Sequence, residues 1–150
     1  MAMCFLASTR SPDPVTKHGA ILCNKNHQIL GMGYNGFPRM CIDEEFPLSR
    51  PQKYDVIIHS EENCLLNSQN LLLGENYTMY ITGFPCSRCF AKMMQCGVRN
   101  VIYGPLNSDC VQKEQKELVK KMSKMGNVKL TKYSGKVNID CFEGLLCIFS

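Results

Sequence analysis

The stretch from residue 77 to 104, "YTMYITGFPCSRCFAKMMQCGVRNVIYG", decides the fold. Its opening "YTMYITG" (77–83) is β-branched and aromatic, the composition of a buried strand. "CSRCFAKMMQCG" (86–97) reads as a short helix, stopped by Gly97 where a helix C-terminus favours glycine. "VRNVIYG" (98–104) is the next strand. A strand, a helix and a strand in succession are the unit of an α/β fold.

The flanking sequence extends that unit. Upstream, "GAILCN" (19–24) and "QILGMGYN" (28–35) are apolar runs parted by the polar "KNH", the pattern of a hairpin. Residues 36–54, rich in proline and charge, form a long loop, and long loops in compact domains tend to carry function. "VIIHSEENCLLNSQ" (56–69) reads as a helix carrying Ile57, Ile58, Leu65 and Leu66. Downstream, Val111, Leu118, Val119, Met122 and Met125 mark one face of a further helix, and "NVKLTKY" (127–133) a last strand. Helices alternating with strands after an opening hairpin predict an α/β sandwich with a mixed sheet. The chain reads as one domain over residues 1–150, with no structure assigned to 134–150.

Composition narrows the classes. With 150 residues and 45% apolar content the chain can bury a sizeable core. No apolar run approaches the roughly 20 residues that cross a bilayer, and "MAMCFLASTR" lacks the basic start of a signal peptide. Ten cysteines without a secretion signal read as buried thiols plus a metal site in a reducing compartment, the cytoplasm or the nucleus. A net charge of +4 suits an anionic small molecule as well as it suits nucleic acid. The start so close to a first helix suggests a shortened chain or one domain of something longer.

The chemistry gathers in two short segments. In "FPCSRC" (84–89), Cys86 and Cys89 are three residues apart at a helix start, so both sulfurs face one side and the helix dipole favours thiolates. Alone, C-x-x-C fits a redox pair, or no site at all, as well as a metal. "HSEENCLL" (59–66) adds one of only three histidines. One histidine and two thiolates leave a fourth tetrahedral position for water, the pattern of a catalytic rather than a structural zinc. Two helical residues span about 200°, so His59 and Glu61 do not share a helical face. That placement suits a carboxylate that reaches the water without binding the metal, takes its proton and passes it to a leaving group. Glu62 falls on the solvated side.

H-x-E followed by P-C-x-x-C is the signature of zinc nucleobase deaminases. The segments "DPVTKHGAILCNKNHQILGMGYNGFPRM" (13–40), "RPQKYDVIIHSEENCLL" (50–66) and "YITGFPCSRCFAKMMQCGVRNVIYG" (80–104) together resemble the deoxycytidylate (dCMP) deaminase family, over roughly residues 4–104. The resemblance implies a three-layer, cytidine deaminase-like fold with a five-stranded sheet flanked by helices, and subunits that form homo-oligomers. It implies hydrolysis of dCMP to dUMP, with Zn2+ held by His59, Cys86 and Cys89 and Glu61 shuttling the proton. Asn35 in "GYNGFP" would meet the sugar or phosphate, with Tyr34, Gly36 and Phe37 shaping that wall, although Gly33 and Gly36 also fit plain turn geometry. Many relatives have alanine where this chain has Ser60, whose backbone would hold the pyrimidine amino group. Tyr103, at a strand end, is a further candidate for the pocket. Lys17, Arg10, Arg39, Arg50 and Lys53 are the pool of cations for a phosphate. Some family members bind dCTP or dTTP as regulators.

Three rival readings fit the same sequence. One is a deaminase of dCTP or deoxycytidine, which differs only in the phosphate pocket. Another acts on nucleic acid, which the lack of tryptophan and the modest charge disfavour. A third is a non-catalytic zinc module, disfavoured by the intact Glu61.

Overall fold

Asn24 starts the hairpin turn by accepting on its Oδ1 from the backbone N–H groups of Asn26 and Gln28, both at 3.0 Å. His27 takes the left-handed conformation there, at φ 61°. A computed structural model describes residues 1–41, 51–68, 71, 75–106 and 111–137. Its elements run α1 (Ala2–Ser8), β1 (Gly19–Cys23), β2 (Ile29–Tyr34), α2 (Ser60–Asn67), β3 (Tyr77–Gly83), α3 (Ser87–Gln95), β4 (Val98–Leu106), α4 (Lys113–Met125) and β5 (Lys129–Lys132). The five strands form one sheet in the order β2-β1-β3-β4-β5. The β1–β2 and β1–β3 pairs are antiparallel and the β3–β4 and β4–β5 pairs parallel, so the sheet is mixed.

Three layers result. Strand β1 is buried along its whole length, as a central strand covered on both faces must be. On one face α1 covers Ile21 and Cys23, with Cys4 fully buried among them. On the other face α2, α3 and α4 lie side by side over the main core of Leu22, Met79, Phe90, Met93, Val101 and Val119. Each of these large side chains contributes roughly 1.5–3 kcal/mol by leaving water. Gly97, at φ +87°, ends α3 as the sequence predicts.

Segment 56–69 departs from the expected helix. Ile57 and Ile58 are not helical. Ile58 exchanges two backbone hydrogen bonds with Gly36, at 2.8 and 3.1 Å, after a 3₁₀ turn at Gln52–Asp55. β-Branched side chains favour that extended backbone. His59 is the N-cap of α2, with φ −68° and ψ 153°, and the buried residues of the helix are Ser60, Glu61 and Cys64. Leu66 is instead 68% exposed.

Glycine explains the inversion. A methyl group on Gly33 would lie 2.3 Å from the Cys64 nitrogen, and one on Gly31 would lie 2.7 Å from the Cys64 carbonyl. The backbone of α2 therefore rests directly on β2, with small and polar residues at the contact. From the same helix, Asn63 Nδ2 donates to the Tyr34 carbonyl at 2.8 Å and Asn67 Nδ2 to the Met32 carbonyl at 3.2 Å. The expected face of α4 is also narrower: Val119 is fully buried, whereas Leu118 and Met125 are exposed and Val111 precedes the helix. Readings that fall on residues 42–50 and 138–150, Arg50 among them, lie outside the described residues.

Candidate active site

The cap of α2 and the cap of α3 meet at one end of the sheet. Cys86 is the N-cap of α3, extended at ψ 159°, and its Sγ accepts from the Cys89 backbone N–H at 3.4 Å. His59 Nδ1 lies 3.7 Å from Cys86 Sγ and 3.5 Å from Cys89 Sγ. Bonds of about 2.3 Å to sulfur and about 2.0–2.1 Å to nitrogen, at a tetrahedral angle, would separate the two donors by roughly 3.6 Å. The two observed separations bracket that value, so the three side chains already stand where one zinc ion would need them. All three donor atoms lie within 4.8 Å of one another. The hydrogen bond from Cys89 and the neighbouring His59 draw the Cys86 thiol well below its ordinary range, while the interaction with Cys86 and burial hold Cys89 up. His59 is raised by its hydrogen bond to Cys86. A bound cation would take up both thiolates.

Glu61 faces this group from the first turn of α2. It is 8% exposed, and its Oε2 accepts from Ser60 Oγ at 3.0 Å. Burial pushes its carboxyl up, against the opposing charge of His59. Glu62 lies on the outer side, paired with Lys92.

A cavity of about 240 Å³ opens beside these residues, lined by His59, Ser60, Glu61 and Cys86 on one part of its wall. Asn35 also lines it. Its Oδ1 accepts from the His18 backbone N–H at 2.7 Å and its Nδ2 donates to the Thr16 carbonyl at 2.8 Å, so it fastens the end of β2 to residues 16–18. Tyr34, Gly36, Phe37 and Tyr103 are outside the lining. Tyr103 stands edge-on to the cavity residue Phe84, at 5.1 Å between ring centroids, and so backs the wall. Gly36 is the partner of Ile58 in the bridge.

Among the further lining residues that the sequence does not mark as site residues are Asp13, Thr16, His18 and Thr82. The fully buried Thr82 Oγ1 accepts from Gly19 N–H at 3.1 Å and lies 2.9 Å from His18 Nδ1. Burial lowers the His18 pKa. Asp13 Oδ1 accepts from the backbone N–H groups of Val15 and Thr16, at 2.9 and 3.0 Å, and its Oδ2 takes a 2.6 Å ion pair from Lys53. Burial alone would raise the Asp13 carboxyl, but Lys53 and the two backbone donors outweigh it and hold it below its ordinary value. The Asp-Pro pair at 13–14 was the one available signal, since aspartate before proline commonly starts a turn.

These features define an α/β domain with a three-donor metal group and a buried carboxylate at a small cavity. The family model described as "Cytidine and deoxycytidylate deaminase zinc-binding region" matches residues 1–105. The chain belongs to that family, whose metal is zinc. A probable deoxycytidylate deaminase of Drosophila melanogaster is 38% identical over 114 residues, which are 69% of this chain and 56% of that protein. The deoxycytidylate deaminase of Mus musculus is 31% identical over 142 residues, 91% of this chain and 78% of its relative. The human enzyme is 36% identical, with 69% of this chain and 61% of its own length covered. The chain thus spans less than two thirds of the fly and human relatives. In fold it is similar to the dCMP deaminase of the cyanophage S-TIM5, solved with dCMP and dUMP, at a TM-score of 0.62 and 24% identity over 87% of this chain and 91% of that one. Among the described residues, no helix is long and apolar enough to cross a membrane.

Proposed function

We propose that this chain is a zinc-dependent hydrolase that converts dCMP and water to dUMP and ammonia. The observation that carries the reading is the buried Glu61 carboxylate beside three side chains spaced for one zinc ion. His59, Cys86 and Cys89 hold the metal. Zinc, when bound, supplies the Lewis acidity that lets water lose a proton near neutral pH. Glu61 passes the first proton of the water to the ring nitrogen as the oxygen bonds to C4. It then takes the second from the hydroxyl now on C4 and passes it to the amino group, which leaves as ammonia. Its burial favours such exchange, because a carboxyl raised above its ordinary value gives up its proton less completely and can both take and return one. Ser60 steadies one oxygen of the carboxylate, and Asn35 shapes the wall for the sugar.

The names of the relatives and the ligands of the phage structure support a deoxycytidine nucleotide as the substrate. The same reading takes the protein to be a cytoplasmic homo-oligomer, open to regulation by dCTP or dTTP. Incubation of the purified protein with cytidine, deoxycytidine, dCMP, dCTP and cytosine-containing oligonucleotides, followed by loss of cytosine absorbance, tests it. Fastest turnover of dCMP is expected. Turnover of the oligonucleotides alone, or of none of these, overturns the reading.

A further inference from the structure

Lys53 is an unusual lysine. It is 2% exposed, and a buried ammonium must find partners for its charge and for three N–H donors. Among the described residues its hydrogen-bond partner is Asp13, at 2.6 Å, which engages one of those donors. The Tyr54 ring, 6.0 Å away, adds at most a weak contact. Two of its donors have no hydrogen-bond partner among the described residues, on a buried cation in a cavity wall.

Asp13 is anchored through both of its oxygens, and the lysine holds only one of them. Two backbone N–H groups already bind its other oxygen, so the carboxylate is fixed in place and fixes the ammonium in turn. The other described candidates for an anion lie outside the cavity lining. Arg10, Lys17 and Arg39 are exposed, and Arg39 donates to Asn67. Among the described residues lining the cavity, Lys53 is the one lysine or arginine. A phosphate drawn out of water needs such a partner, and a charge-assisted bond in a buried site is worth more than one at the surface.

We propose that Lys53, held by Asp13, is the residue that reads the phosphate of the substrate and separates a nucleotide from its nucleoside. The inference rests on the reading of the site as one for a deoxycytidine nucleotide. It assigns two residues, 40 apart in the chain, to a single task of discrimination.

The test compares binding of dUMP and deoxyuridine, which the enzyme cannot deaminate, by calorimetry, and kcat/KM for dCMP and deoxycytidine. Lys53→Met should weaken dUMP binding and lower kcat/KM for dCMP by about 10- to 150-fold, the worth of a hydrogen bond to a charged group. The loss for the two nucleosides should be at least about tenfold smaller. Because Lys53→Met strands a buried carboxylate, the double variant Asp13→Asn with Lys53→Met is measured beside it. That pair is neutral, its amide oxygen still accepts from Val15 and Thr16, and the same phosphate-specific loss is expected. Equal losses for nucleotide and nucleoside would make Lys53 a structural tie and overturn the proposal. A wild type that prefers dUMP, with variants that keep the preference, overturns it while leaving the proposed activity standing. A wild type with no preference for the phosphate removes both.

Discussion

Gly33→Ala adds one carbon at the place where the site is set. That carbon would stand 2.3 Å from the Cys64 nitrogen and 2.4 Å from the Ser60 carbonyl oxygen, whereas ordinary contacts begin at 3.4 Å. Both obstacles are backbone of α2, so no side-chain rotation relieves them. The helix must withdraw from β2 by roughly 1 Å, and it carries Glu61 and the cap residue His59 with it, which alters their placement against the cysteines borne by α3. Overpacking of this kind costs about 1–3 kcal/mol. For a chain of this length that lowers Tm by about 2–12 °C. Displacement of a catalytic group by about 1 Å costs about 100-fold in rate. Expected, then, are a lower melting temperature by calorimetry, reduced zinc by elemental analysis, and kcat/KM for dCMP about 100-fold down. Gly36→Ala is the control. Its added carbon meets first the end of the Tyr34 ring, at 3.3 Å, which can shift, and the change should cost less than about 1 kcal/mol. A Gly33→Ala protein with wild-type Tm and turnover would refute the close approach of α2 as the device that sets the site.

Other consequences can be checked in the same preparation. Glu61→Gln keeps the shape of the side chain but cannot accept a proton, so kcat should fall by about 10²–10⁴-fold with zinc content unchanged; near wild-type turnover, or loss of the metal, would remove Glu61 from its role. Cys89→Ser should lose zinc and melt at lower temperature, because metal binding stabilises the folded state, and full zinc by elemental analysis would contradict the ligand set. Asp13 has a folded-state pKa below its ordinary 3.8, so its contribution to stability is complete above that pH and is lost as pH falls below about 4. Melting temperatures followed from pH 6 to pH 2.5 should therefore drop more steeply in wild type than in Asp13→Asn; parallel profiles would exclude Asp13 as a source of acid sensitivity.

What could be read from the sequence was what depends on local pattern or on residue chemistry. The strand, helix and strand of residues 77–104 follow from β-branched content and from Gly97, whose left-handed backbone ends α3. His59, Cys86 and Cys89 stand out because few residue types bind zinc, and the structure brings the three together. The start of α2 was misplaced because Ile57 and Ile58 count as apolar in a helical pattern as readily as in an extended one, and a tertiary bridge to Gly36 decided between them. The buried side of α2 was missed for a similar reason. Glycines on a strand distant in sequence allow a polar face to turn inward, and no periodicity within the helix reports it. Lys53 and Asp13 are joined across 40 residues of chain, and a lysine in a charged, proline-rich stretch ordinarily reads as solvated.

The amides of Asn63 and Asn67 bear on how copies of this protein can gather. Strand β2 closes one end of the sheet, and its exposed Ile29 and Met32 make that rim attractive to any extended chain. A foreign strand would have to hydrogen-bond to the rim's carbonyls, and the two asparagines, one helical turn apart, already hold those of Met32 and Tyr34. Strand-by-strand growth is therefore obstructed at this rim by a helix lying over it. Association of the chain through β2 is steered away from open-ended fibres and toward contacts made by surfaces, which can close.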